Sequence, residues 1–542
     1  MRIIILLFFL VNATFNSFGQ QTMGLFQNDS TSFNGYTLIA SLSSTETFLI
    51  DNCGFIVHQW SNSTHRPGAS VYLLEDGSLM RTCRLGNGVG GRIEHYDWDD
   101  NLMWSYNILD STQEQHHDIE VLPNGNILVL AYDIRSNAAA LAAGRDPNTL
   151  LGELWSEKVV ELQPIGTDSA VVVWEWYLWD HLIQDLQAGS NFGVVNQHPE
   201  LVNINYDTDG SMGIDWIHAN SIDYNEDWDQ IIISARRFNE IWIIDHSTTT
   251  AEAASHTGGQ YGKGGDLLYR WGNPAAYQIG EEGSQVFFGQ HDAQWIPSSY
   301  RDGGKIMVYN NGRGSSNSIS QVQIITPPIN ANGNYFYQAD SMYLPHVVDW
   351  SYTTPSYSNF VSGAQRLENG NTLICNGPSG NVIEIDTFDN LVWDYVNPVG
   401  INGIIGTQGT PPSNNTLFRA YKYSPFYPAF TGRTLTPTTP IELNPLPSNC
   451  VVYFPVDTEP QWQTLDIQVI QNPIQDILRI ENSMQNNIQL KVIDILGRIV
   501  LEDYGQATLL EYQVQHWAKG SYFIIAIDEE NNTLYRQQVI KN

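Results

Sequence analysis

Apolar and polar positions along the chain fall into a short pattern that returns several times. An alternating apolar stretch, a polar turn and a second stretch ending in Trp occupy residues 48–60, 93–104, 159–176 and 382–393. A period of two predicts half-buried strands, and the polar interruptions predict hairpins. A fifth copy pairs residues 241–245 with 266–271, and a more degenerate sixth pairs 322–326 with 347–350. Residues 70–79, 118–130 and 363–374 supply preceding hairpins, turning at Asp76-Gly77, Asn124-Gly125 and Asn369-Gly370. Such pairs suit tight turns whose central residues need positive φ. Four antiparallel strands repeated six times predict an all-β fold, a six-bladed β-propeller over residues 36–427. The first copy begins at residue 36 without an innermost strand, and a lone strand at 416–423 has no hairpin after it. The second is expected to complete the first and close the ring, leaving no free edge.

Both ends of the chain depart from this pattern. After Met1 and Arg2, residues 3–11 form an unbroken apolar run, too short to span a bilayer. Residues 1–20 are read as a secretory signal peptide, cut near Gly19 or Gln20, and no other run reaches membrane-spanning length. Residues 428–464, rich in Pro and Thr at 434–447, predict an extended linker. Alternation resumes over 465–542, a small separate β unit expected to be a sandwich.

Composition narrows the function. Asp and Glu number 58 against 25 Lys and Arg, a net charge of −33. This excludes nucleic acid and anionic membrane as partners, because both demand a basic surface. The four cysteines, Cys53, Cys83, Cys375 and Cys450, show no CxxC spacing. Export permits disulfides among them, and three complete pairings stay open.

Candidate chemistry comes from the predicted innermost strands. His117 and His291 share a following Asp and a Pro six residues on, and His218 is placed in the same frame, with Ala69 and Ser362 at the equivalent positions. Three adjacent blades would then present histidine to the central channel. Three imidazoles can hold zinc or copper, or they can join other donors around an anion. Arg236, 18 residues after His218 at the end of the next strand, favours the anion. A guanidinium repels a metal but bonds a sulfate or phosphate bidentately. Asp118 and Asp292 are read as ring-orienting or turn residues, Asp180-His181 as structural or rim, His346 as a surface histidine, and residues 136–154 as a lid or rim insertion. The Trp residues at strand ends are read as packing between sheets.

The run from Asp215 through His218, Asn220 and Ile222, continued by 231–236 and 239–242, resembles the signature of bacterial arylsulfate sulfotransferases. Residues 179–184, His116-His117 with 118–126, and 418–421 are similar to the same family. The resemblance implies transfer of a sulfuryl group from an aryl sulfate donor to a phenol acceptor through a sulfohistidine, with no cofactor and no nucleotide sulfate. It implies His291 as nucleophile, with His117, His218, Asn220 and Arg236 holding the sulfate oxygens. Strand alternation and the repeat frame set His116 aside in favour of His117, and the family frame sets Arg237 aside in favour of Arg236. The tail, through Asn472-Pro473, residues 492–498, 520–524 and 539–541, resembles the sorting domain of the Bacteroidetes type IX secretion machinery. It implies a secreted or cell-surface protein of a Gram-negative bacterium. A non-catalytic propeller binding an anionic or aromatic ligand, and a histidine-ligated metal-dependent hydrolase or lyase, are the competing readings.

Overall fold

The computed structural model describes residues 20–85, 89–207, 214–280, 283–339, 341–452, 463–464, 467–482, 488–494, 499–528 and 533–541. The expected signal peptide, all but its last residue, lies outside them, as do residues 495–498 of the sorting motif. Strands dominate the protein's regular structure, helices being few and short, and the chain divides into two compact units, Met1–Tyr453 and Phe454–Asn542. Among the described residues no helix is long and apolar enough to cross a membrane.

The larger unit holds six antiparallel sheets of four strands, one extended by a fifth strand. Their first strands are, in turn, Tyr421–Tyr423, Pro67–Leu73, Gln113–Val121, Ala219–Asn225, His291–Trp295 and Gly363–Arg366. The first sheet is assembled from both ends of the unit, since Tyr36 pairs with Tyr423 and Leu38 with Tyr421. The glycines of the Asp-Gly and Asn-Gly turns carry φ of +89°, +83° and +87° at Gly77, Gly125 and Gly370, which side chains resist.

The Trp that ends each sequence copy has a specific partner. Trp60 of the first sheet donates its indole N–H to Asp97 O in the second, at 3.0 Å. Trp104 reaches Ser169 O of the third sheet, Trp176 reaches Gly265 O beside the fourth, and Trp271 reaches Pro345 O beside the fifth, at 2.7–2.8 Å. Trp393 of the sixth sheet donates to Asn52 O of the first, at 2.8 Å. Between the fifth and sixth, the Arg366 guanidinium lies over the Trp350 ring, 5.2 Å from its centroid. A buried indole has a large apolar body and one donor, so it both fills an intersheet seam and fixes its register.

At the opposite, inner edge lies a buried charge cluster. Arg419, on the run into the first strand of the first sheet, bonds Asp118 at 2.8 Å and Asp292 at 2.9 Å. Asp118 also accepts the Tyr72 hydroxyl and the Ile222 N–H, and Asp292 accepts the Ala364 N–H. Each carboxylate therefore ties its own sheet to a neighbour's backbone as well as to Arg419.

Several sequence expectations are corrected. Gly24–Asn28, ahead of the expected start at residue 36, adds a fifth strand to the sixth sheet by pairing with Trp393–Val396. The outer strand of the fifth sheet is Trp350–Thr353 rather than 347–350. The segment read as an extended linker is tied to the larger unit along its described part. Thr438 N–H donates to Ile56 O, Leu443 N–H to Gly406 O, and Cys450 is disulfide-bonded to Cys53. Cys83 and Cys375 are buried free thiols, so none of the three complete pairings forms. In the 136–154 insertion, Arg145 is buried against Ile204 O and the Trp216 ring, and the insertion contributes nothing to the histidine cavity described below.

The smaller unit has a five-stranded sheet containing Ile488–Asp494 and Gly520–Asp528, and a three-stranded sheet containing Ile477–Glu481. One apolar core, including Leu478, Ile480, Leu490, Val492 and Ile524, lies between alternating outward polar positions.

Two outcomes follow for the larger unit. Arg419→Gln strands two buried carboxylates and should lower unfolding free energy by about 3–5 kcal/mol in urea titration. Adding Asp118→Asn and Asp292→Asn should recover part of that loss. Cys450→Ser should cost about 2–4 kcal/mol by the same measurement, because it opens a closure across most of the unit.

Candidate active site

The inner strands of the third, fourth and fifth sheets are irregular where they begin. Pairing slips between Val129 and Ala131, between Ala219 and Ile222, and between His291 and Gln294. Such bulges bend a strand and re-aim its side chains. His117 and His218 sit in left-handed backbone at φ +51° and +53°, a conformation costing roughly 1–3 kcal/mol where the surroundings enforce it. Their rings meet edge to face, 4.8 Å between centroids.

Together they open on a cavity of about 600 Å³ that His117, His218, Arg236 and His291 all line. Arg237, Arg313, Phe288 and Phe360 complete much of its wall. In a chain of net charge −33, three arginines around one hollow gather positive charge beside three histidines.

Each imidazole is held by a different device. His116 Nδ1 meets His117 Nδ1 at 2.9 Å, and its Nε2 meets Glu157 at 2.9 Å, so one proton lies between the two rings. The other oxygen of Glu157 accepts Ala219 N–H at 2.8 Å, next to His218. His218 Nδ1 bonds Asp215. His291 Nδ1 faces two acceptors, Asn311 Oδ1 at 2.8 Å and Gly289 O at 3.1 Å. Its proton therefore sits on Nδ1, and Nε2 carries the lone pair, which accepts Val361 N–H at 3.1 Å.

Protonation follows from burial and charge. Burial, then Arg236, holds His291 well below the usual histidine range, despite the raising effect of Asn311. Burial and the neighbouring His218 hold His117 well below it too. His218 is also lowered by burial, although its bond to Asp215 opposes this. Near neutral pH all three rings are neutral.

The structure gathers four of the five expected residues and moves one aside. Asn220 is fully buried and does not line the cavity. Its amide donates to Gln290 O at 2.8 Å, fixing the peptide ahead of His291. The register drawn from sequence is also corrected. Asp118, Ser221 and Asp292 each accept the next sheet's N–H, from Ile222, Ala293 and Ala364. The residues just before them, His117, Asn220 and His291, are thus equivalent, and His218 lies two residues earlier. The fourth sheet lacks the proline that anchors the frame in the third and fifth. The bulge nonetheless returns the His218 ring to the cavity.

Arg237 and His116 also regain roles. Arg236–Phe238 is a 3-10 turn, so strand alternation does not apply there and both arginines reach the cavity. His116 acts through His117. Sequence reading missed Asp215, Glu157, Asn311 and Arg313. Arg313 had a signal, for it follows the second strand of its sheet as Arg236 follows its own.

The chain has solved structural relatives at low identity. It is similar to a protein of unknown function from Bacteroides caccae, at 11% identity, 67% of this chain and 93% of that one, with a TM-score of 0.36. It is similar to virginiamycin B lyase of Staphylococcus aureus, at 9%, 69%, 88% and 0.31, and to a periplasmic gluconolactonase of Pseudomonas aeruginosa, at 11%, 89%, 99% and 0.32. No curated protein matches it in sequence. Residues 468–541 match the secretion system C-terminal sorting domain, which indicates export to the cell surface or beyond. Residues 20–392 match the arylsulfotransferase (ASST) model, and the chain belongs to that family.

Proposed function

We propose that the protein moves a sulfuryl group from an aryl sulfate to a phenol by two displacements at His291. The observation that carries this reading is the His291 ring, neutral, with Nδ1–H fixed and Nε2 basic, in a cavity of arginines and imidazoles. Nε2 attacks sulfur, the ester S–O bond breaks, and the phenolate leaves with the bonding pair. The acceptor oxygen then attacks sulfur, the N–S pair returns to Nε2, and the acceptor's proton passes to a neutral imidazole of the His117–His218 pair. Splitting one transfer into two displacements is what a nucleophilic side chain contributes.

Arg236 holds the sulfuryl oxygens, His117 and His218 beside it donate to them from Nε2 once protonated, and Asn220 positions the His291 peptide. Arg313 and Arg237 add charge at the wall. Attack replaces the Val361 hydrogen bond on Nε2 by the N–S bond and frees that N–H for a sulfuryl oxygen. A fixed backbone donor at developing charge is an effective stabiliser. No cofactor enters the scheme.

The same reading makes the six sheets the blades of one closed propeller, for which the Trp393–Asn52 bond from sixth sheet to first is the supporting contact. It makes the tail a small β-sandwich recognised by the type IX secretion machinery.

The purified protein is treated with chelator and given 4-nitrophenyl sulfate with and without phenol. Nitrophenol release should depend on acceptor, survive chelation and fall at least about 10³-fold in His291→Asn. Absence of turnover with any aryl sulfate would sink the transferase reading, and loss on chelation would favour a metal enzyme. The depressed His291 pKa gives a second outcome. A group held below its usual value stays neutral as pH falls through 6.5, so kcat/KM should be flat from pH 8 to 6.5 and decline only at more acid pH. An acid limb at or above 6.5 would contradict a buried neutral nucleophile.

A further inference from the structure

A second cluster of histidines lies away from the cavity. His181 closes the short turn Leu178–His181, is fully buried, and stacks on Trp176 with 5.9 Å between ring centroids. Its Nδ1 is 2.7 Å from Asp266 Oδ1, and His256 Nδ1 is 2.7 Å from that same oxygen. The three ligand atoms lie within 4.8 Å of one another. None of these residues lines the His117–His218–His291 cavity.

We propose that His181, His256 and Asp266 form a zinc site that clasps the segment around residues 249–266 to the end of the third sheet. Two imidazoles and one carboxylate suit zinc, whereas calcium wants six or more oxygens. Zinc bonds of about 2.0–2.2 Å in tetrahedral array place ligand atoms about 3.3–3.5 Å apart. Opening the two 2.7 Å contacts to that spacing requires movements under about 1 Å, and His256, with 60% of its side chain exposed, is free to make them.

The hydrogen-bond inventory supports a metal. His181 Nε2 faces Ala253 O at 2.8 Å, an acceptor without a proton, while Nδ1 faces a carboxylate. Two arrangements satisfy both contacts: an imidazolium that donates from each nitrogen, or a ring whose Nδ1 binds a metal. With zinc on Nδ1, the Nε2–H donates to Ala253 O and every group is satisfied. That outer bond is also how ligand histidines are commonly oriented.

The backbone is shaped for the same approach. A Cβ on Gly265 would lie 2.0 Å from Ala253 O and 2.6 Å from His181 Nε2, so only glycine admits Asp266 to the cluster. Trp176 donates to Gly265 O at 2.7 Å and fixes the peptide from the other side. Three protein ligands leave a fourth position for water at the exposed His256 side.

The mature full-length protein is stripped with chelator, dialysed and titrated with zinc chloride, reading bound zinc per chain and the thermal midpoint. Wild type and His291→Asn should each take one zinc at this site and gain thermal stability. His256→Ala, a surface change outside the catalytic cavity, should bind zinc at least about tenfold more weakly, lose the thermal gain, and keep wild-type sulfuryl transfer. Asp266→Asn serves as the second ligand variant. The proposal is overturned if wild type binds no zinc, or if His256→Ala retains wild-type affinity. Zinc lost in His291→Asn but kept in His256→Ala would place the metal in the catalytic cavity and overturn it equally.

Discussion

The Arg419 guanidinium, gripped by Asp118 and Asp292, is the interaction on which the interior depends. The three residues come from the first, third and fifth sheets, and the carboxylates reach on to the backbones of the fourth and sixth. Burying three charges is costly unless each finds partners, and here each does. Burial pushes Asp292 up to about 6 against the pull of Arg419, so the pairing keeps it ionised. His117 precedes Asp118 and His291 precedes Asp292. The cluster that joins the sheets thus fixes, one residue away, two of the imidazoles in the cavity. A second hollow of about 830 Å³, lined by Arg419, Asp292, Glu120 and Asp223, shares no wall residue with the histidine cavity.

The two hollows differ in electrostatic character. In the second, burial and mutual repulsion raise Glu120 well above the usual carboxylate range and Asp223 to about 7. Around the histidines, arginines and burial depress imidazole protonation instead. In a strongly acidic protein, Arg236, Arg237 and Arg313 still gather positive charge at the histidine cavity. Neutral imidazoles suit that arrangement, since they add no like charge beside Arg236 and keep a basic nitrogen toward the cavity.

Much of the fold was legible because its signals are local. Alternation, Asn-Gly turns and terminal Trp each act within a hairpin, and the sheets appear where those signals stand. The N-terminal strand at Gly24–Asn28 was not legible, because its pairing with Trp393–Val396 spans the whole unit. The fastening of Cys450 to Cys53 is equally non-local. In the site, His117 and His291 stood out from the repeat spacing, while Arg236 was separated from Arg237 by the family frame. The level of His218 was misjudged because the fourth sheet has no proline to mark the frame and a bulge between Ala219 and Ile222 returns its ring to the cavity from two residues earlier. Asp215, Glu157 and Asn311 escaped notice because ordinary polar residues become positioning groups only when the fold sets them against a particular imidazole.

The Trp relay at the outer rim has a consequence for how such a protein can change. Each indole anchors one sheet to the next far from the cavity, so architecture is secured at the periphery and chemistry is hosted at the hub. The loops bearing Arg237, Gln285, Arg313 and Phe360 lie outside that relay. Cavity-wall residues can therefore change while the intersheet seams stay constant, a separation of scaffold from selectivity.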